Sequence, residues 1–174
     1  TAVGAGPHDR IMTPNPLFHI NAECYSTMGT MAAGATLILL DRFSASGLAA
    51  EIERHRPTLL VLVLASATIL YNKYRQSEPW HTSLRTIVAG GVPRGEYRSF
   101  ERTFGVKLQN IYSMTETPMG LMSPLDAPAR DGGVGFPMPA PEGCGQNRIR
   151  LVNDQGSDCA ADEIGEIVIQ NEAL

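Results

Sequence analysis

Four short, largely apolar runs interrupt this chain at near-regular intervals, and they leave few architectures open to it. Ala35–Leu40 and Leu59–Leu64 are continuous apolar runs of the kind that form strands buried on both faces. Thr86–Ala89 and Val106–Ile111 read as a third and a fourth strand. Helical patterns separate them. Asn21–Ala33 carries small and apolar residues and ends at Gly34, and Ser44 or Ser46 can cap a helix running to His55 and ended by Pro57. Ser66–Tyr74 and Glu96–Phe104, the latter closed by Gly105, complete the series. A further short strand, Arg10–Thr13, leads into Pro14 and Pro16. Strands alternating with helices imply right-handed crossovers and a mostly parallel α/β sheet with flanking helices.

The pattern changes after Thr117. Residues 118–145 hold six prolines and six glycines and read as largely loop. Arg148–Val152 and Glu166–Gln170 then alternate polar and apolar residues around the turn chemistry of Asp154-Gln-Gly156, as a half-exposed antiparallel pair does. The expected organisation is an α/β part over residues 1–117 and a loop-rich part with a small antiparallel β segment over 118–174. Both ends read as cuts through a larger protein.

Composition narrows the function classes. The 174 residues are 43% apolar and 18% charged, below the ~25% charge of an average soluble domain, which argues against disorder. Net charge is −4 with no Lys/Arg block, so a phosphate-tracking nucleic-acid surface is not expected. No apolar run approaches the ~20 residues of a membrane span, and Thr1–Pro16 lacks a signal-peptide pattern. Cys24, Cys144 and Cys159 are odd in number and scattered, which suits free thiols in a reducing cytoplasm.

Three segments carry candidate chemistry. Asn110-Ile-Tyr-Ser-Met-Thr-Glu-Thr117 follows the fourth strand, and open α/β sheets bind ligands beyond the carboxyl ends of their strands. There Tyr112 offers a face for stacking, Thr115 a hydroxyl, and Glu116 a hard oxygen ligand for Mg²⁺. Ser113-x-x-Glu116 is equally the spacing of a capping box, which would only start a helix. Ala89-Gly-Gly-Val-Pro93 ends the third strand. Gly90 and Gly91 allow close approach of a ligand, or simply a tight strand-to-helix turn. Pro14-Asn-Pro-Leu-Phe-His-Ile-Asn21 contributes His19, a ligand-facing group or an ordinary structural histidine. Neither a Walker loop nor a nucleophile elbow is present.

Taken together, Pro16-Leu-Phe-His19, Gly90-Gly-Val-Pro93 and Tyr112-Ser-Met-Thr-Glu116 resemble the adenylate-forming (AMP-binding) superfamily. Leu17–Ala22, Tyr25-Ser-Thr27, Gly34-Ala-Thr36, Phe43-Ser-Ala45, Met114–Thr117 and Gly165-Glu-Ile167 are most similar to its crotonobetaine/carnitine-CoA ligase-like branch. The resemblance implies a two-step reaction in which a carboxylic acid attacks the α-phosphate of ATP and a thiol, usually coenzyme A, then takes the acyl group. It implies that Tyr112 stacks on adenine, with Gly90, Gly91, Val92 and Asn110 completing the nucleotide site. Thr115 then bonds the α-phosphate and Glu116 holds Mg²⁺. His19, Val92, Ser113 and Gly120 line the acyl pocket, with His19 beside the reacting carboxylate. Ser113 stands where the family usually has Gly. The phosphate loop expected before residue 1, and the ribose-binding Asp, hinge and catalytic Lys expected after residue 174, are not found in this chain. The resemblance therefore implies a central fragment, inactive alone, that needs the flanking parts of its parent. A non-catalytic nucleotide- or acyl-binding module and a purely structural α/β piece are the alternatives.

Overall fold

Alternation along five parallel strands decides where everything else packs. In the computed structural model, which describes residues 3–117, 120–127, 130–138 and 147–170, these strands are β1 (Arg10–Thr13), β2 (Thr36–Leu39), β3 (Leu59–Leu62), β4 (Thr86–Ala89) and β5 (Lys107–Tyr112). Met12, Leu60, Leu62, Ile87, Ala89 and Leu108 point to one face, and their neighbours Ile11, Leu59, Val61, Val88 and Ile111 point to the other. Both faces of the central strands are apolar, so both must be covered.

Three helices cover the first face: α2 (Leu48–His55), α3 (Leu64–Tyr74) and α4 (Tyr97–Phe104). Tyr97, Phe100 and Phe104 fall on one side of α4 because they recur at helical spacing. Phe100 and Phe104 are fully buried, with ring centroids 4.7 Å apart, and Trp80 meets Phe104 edge-on at 5.0 Å. Phe100→Ala would cost about 3–5 kcal/mol as a large-to-small core change. α4 stops at Gly105, whose φ of +63° is the left-handed geometry of a helix end and whose missing Cβ leaves room for the Trp80 carbonyl.

The second face is covered by the crossover from β1 to β2. Its helix is π-wound over Asn21–Met28 and passes into α1 (Gly29–Ala33). The hydroxyls of Ser26 and Thr27 donate to the carbonyls of Asn21 and Ala22, each five residues back, at 3.2 and 2.8 Å, supporting the wide winding. Tyr25 from this segment packs against the second-face core.

The strand order is β2-β1-β3-β4-β5, all parallel, continued antiparallel by β6 (Leu121–Met122) and β7 (Phe136–Pro137). β8 (Arg148–Val152) and β9 (Glu166–Gln170) form a separate antiparallel pair in register from Arg148↔Gln170 to Val152↔Glu166. The α/β class with a small antiparallel segment is thus observed. Among the described residues no helix is long and apolar enough to cross a membrane, and Cys24 and Cys159 are free thiols, while Cys144 lies outside those residues.

Four expectations change. The Ala35–Leu40 run is not buried on both faces: β2 is the sheet edge, Thr36 and Leu39 are exposed, and only Ile38 is buried. The second apolar run leaves the sheet at Leu62, since Val63 is extended and Leu64 already opens α3. Neither Ser44 nor Ser46 caps α2; Gly47 stands at the cap, and Ser44 Oγ accepts the Gly47 N–H at 3.2 Å. The loop-rich stretch also supplies β6 and β7, short enough to carry no periodic signal.

Candidate active site

Three loops leave the carboxyl ends of β1, β4 and β5 and meet over the sheet. After β1, buried Asn15 donates through Nδ2 to Asn21 Oδ1 at 2.6 Å and to the Val61 carbonyl at 3.2 Å. This pins both ends of the segment that exposes His19. The Asn21 N–H donates to His19 Nδ1 at 3.1 Å, so the neutral imidazole carries its proton on Nε2 and presents that atom as a donor.

After β4, Gly91 takes φ +72°, and a Cβ there would overlap Leu64 Cδ1 at the start of α3. Gly90 sits against the Ile111 carbonyl so closely that a Cβ would lie 2.9 Å from its oxygen. The loop is braced farther on. The Tyr71 hydroxyl donates to the Glu96 carboxylate, and the Gly95 N–H donates to Asp131 Oδ2 at 2.7 Å.

At the end of β5, Asn110 Nδ2 donates to the Tyr97 hydroxyl at 2.6 Å and to the Gly133 carbonyl at 2.8 Å. Its Oδ1 is buried and has no partner among the described residues, an uncommon and costly condition unless a ligand supplies a donor. Burial, assisted by the Asp131 charge, pushes the Tyr97 phenol up, so it stays protonated. Residues 113–117 make a turn closed by the Thr117 N–H on the Met114 carbonyl at 3.1 Å, and no helix begins there. The capping-box spacing at Ser113 and Glu116 is present without the box. Ser113 Oγ instead accepts the Tyr25 hydroxyl at 2.8 Å, and among the described residues Glu116 makes no hydrogen bond or ion pair.

The loops enclose a cleft of about 660 Å³. Its lining includes His19, Gly90, Gly91, Val92, Asn110, Tyr112, Ser113, Thr115 and Glu116. Gly120 is not part of that lining. It lies under the Tyr112 backbone, where a Cβ would strike the Tyr112 carbonyl, and it accepts the Met138 N–H at 3.0 Å. Val92 is only 4% exposed and packs mainly into the first-face core. Arg94 and Glu116 are the fixed charges of the lining. Among the described residues no cluster of three or more His, Cys, Asp or Glu surrounds Glu116, so a cation held there would take its other ligands from substrate oxygens and water, as Mg²⁺ commonly does.

Residues of the lining that the sequence reading did not assign to the site include Asn21, Tyr25, Arg94, Tyr97, Gly132 and Val134. Strand parity is the signal that could have found some of them. Asn110 and Tyr112 continue the first-face series of β5, and Asn110 meets Tyr97, whereas Ser113 continues the second-face series and meets Tyr25. The cleft therefore has two ends, one on each side of the sheet.

The site is a cleft over the carboxyl edge of a parallel α/β sheet, lined by glycine loops, the Tyr112 ring and the Glu116 carboxylate. The chain belongs to the AMP-binding enzyme family, whose model matches residues 1–174. It is 36% identical over 166 residues to indoleacetate–CoA ligase of Aromatoleum aromaticum, covering 93% of this chain and 31% of that protein. It is 28% identical over 167 residues to crotonobetaine/carnitine–CoA ligase of Escherichia coli, again covering 93% of this chain and 31% of the relative. Among solved structures, O-succinylbenzoate coenzyme A synthetase from Bacillus subtilis, in complex with ATP and magnesium ion, superposes with a TM-score of 0.74 at 26% identity, over 97% of this chain and 34% of that one. The chain spans about a third of the length of the relatives it matches.

Proposed function

We propose that the full-length protein carrying this chain is an ATP- and Mg²⁺-dependent acid–thiol ligase that makes acyl-coenzyme A, working in the cytoplasm. The observation that carries this reading is the unpaired, buried Asn110 Oδ1 in a cleft that also holds Tyr112 and Glu116. Its acceptor suits the exocyclic amine of adenine, and the Tyr112 ring beside it on the first-face side suits the purine plane. Gly90, Gly91 and Val92 close the opposite side of the base, where Gly backbone permits close contact.

In the first step a carboxylate oxygen attacks the α-phosphorus and pyrophosphate leaves. In the second, a thiolate attacks the acyl carbon and AMP leaves. His19 Nε2–H is the donor that orients the carboxylate, and the Thr115 hydroxyl donates to an α-phosphate oxygen. Glu116 holds the magnesium ion, which when bound offsets the charge building on the phosphates. The residues act by position and electrostatics, without a covalent intermediate on the protein.

The test is acid-dependent ATP–pyrophosphate exchange by the full-length protein over a panel of carboxylic acids, followed by coenzyme A thioester formation. Exchange that requires both Mg²⁺ and an acid is expected. Absence of exchange with every acid, from folded protein that binds ATP, would leave the binding-module reading in its place. The 174-residue chain alone is expected to give none, because it spans about a third of its relatives.

A further inference from the structure

We propose that Tyr97 is a positioning residue for base selection: with the Gly133 carbonyl it locks the Asn110 amide so that the cleft takes a purine bearing an exocyclic amine and rejects one bearing a carbonyl there. This rests on the adenine site of the ligase reading above. Asn110 Nδ2 carries two hydrogens, and both have acceptors: the Tyr97 hydroxyl oxygen at 2.6 Å and the Gly133 carbonyl at 2.8 Å. The hydroxyl's own proton is directed to the same Gly133 carbonyl, 3.4 Å away. A hydroxyl alone could face either end of an amide, because it donates and accepts. A carbonyl only accepts. Reversing the amide would set Oδ1 against the Gly133 oxygen, lone pair to lone pair, so the backbone fixes which end points away. That end is Oδ1, buried and without a partner among the described residues.

Tyr97 is held in this place from several sides. It is the first residue of α4 and packs, buried, into the first-face core. Glu96, one residue before it, is held by the Tyr71 hydroxyl of α3. The Gly133 side is fixed through Asp131, whose carboxylate accepts the Gly95 N–H. Burial, with the Asp131 charge second, pushes the Tyr97 phenol up, so it keeps the proton it gives to Gly133. Tyr97 thus acts through Asn110. An adenine amine donates to Oδ1, whereas the carbonyl of hypoxanthine would meet that oxygen as acceptor against acceptor, leaving both unpaired.

The test measures Kd for ATP and for inosine triphosphate, which carries the carbonyl in place of the amine, by calorimetry on the full-length protein. The wild type is expected to prefer ATP. Tyr97→Phe, which keeps the buried ring and removes the hydroxyl, is expected to lower that preference by about fivefold, the scale of one neutral hydrogen bond. Asn110→Ala should lower it further. In that background, adding Tyr97→Phe should change the ratio by less than about twofold, since no amide remains for the hydroxyl to orient. No preference in the wild type, a ratio that Tyr97→Phe leaves unchanged, or one that it lowers equally with and without Asn110, overturns the proposal. If Asn110→Ala does not fold, Tyr97→Phe alone carries the test. Folded protein that shows these shifts yet gives no ATP–pyrophosphate exchange with any acid loses the ligase reading and keeps the positioning of Asn110; exchange with an unmoved ratio keeps the ligase reading and overturns the positioning.

Discussion

Asp131 reaches from the loop before β7 to accept the Gly95 N–H at 2.7 Å, and so joins two loops that are 36 residues apart in sequence. The stem of Arg94 lies along Gly132 beside it, and Gly133 accepts from Asn110 and from the Tyr97 hydroxyl. The end of the cleft that holds Asn110 and Tyr97 is thus one braced unit, although its parts come from two regions of different character.

Asp131→Asn is therefore expected to raise KM for ATP more than it lowers kcat. The bond is charge-assisted but exposed, so about 1 kcal/mol is at stake, or roughly fivefold in KM. Steady-state kinetics of the full-length protein at varied ATP measure it; a kcat effect alone would place Asp131 elsewhere in the cycle.

Glu116→Gln should depress exchange by at least about 100-fold, the usual scale for losing one electrostatic stabiliser of a transition state. The melting temperature should hardly change, because no helix starts at Ser113 and the carboxylate has no protein partner among the described residues. Differential scanning calorimetry run beside the exchange assay separates the two. A large thermal loss with intact exchange would return Glu116 to a structural role.

Gly91→Ala should destabilise by about 1–2 kcal/mol, combining left-handed strain with the overlap on Leu64. Adding Leu64→Ala should recover only the steric part, since the φ of +72° persists. Denaturant midpoints of the two variants decide it, and complete rescue by Leu64→Ala would mean that the backbone carries no strain.

The Asp9 carboxyl falls from 3.8 to about 2. Burial pushes it up, but the hydrogen bond from Arg85, at 3.1 Å, together with those from Thr58 at 2.6 Å and the Gly6 N–H at 2.9 Å, outweighs burial. A depressed carboxyl stabilises the fold above its unfolded pKa and loses that contribution as pH falls from about 4 towards 2. Arg85 is 41% exposed and screened by solvent, so the contribution is about 1 kcal/mol. Asp9→Asn should be less stable than wild type at pH 6, with the gap closing near pH 2; urea unfolding at both values tests this.

The fold was legible where residues on both faces of a strand are apolar, as in Leu59–Leu62 and Thr86–Ala89. It was misread at Ala35–Leu40, because an apolar run reports hydrophobicity and not position within a sheet; β2 is an edge strand that looks central in sequence. The lining of the cleft was legible where a residue stands at or just past a strand end, as Gly90, Gly91, Tyr112 and Glu116 do. Tyr25 and Asp131 were not. Tyr25 enters through a π-wound helix whose turn does not follow the 3.6-residue period, and Asp131 through a loop whose partner, Gly95, is a backbone group without a side-chain signature.

Because Tyr112 and Ser113 are consecutive residues on opposite sides of one strand end, the two halves of the cleft can diverge separately. A substitution at Ser113 or Tyr25 alters one half without touching Asn110, Tyr97 or the Tyr112 ring. Insertion of a single residue between Asn110 and Ser113 would have the reverse effect, exchanging the two halves and ruining both. The side chains at one end of the cleft are therefore free to vary, while the length of this short stretch is held constant by the pleat itself.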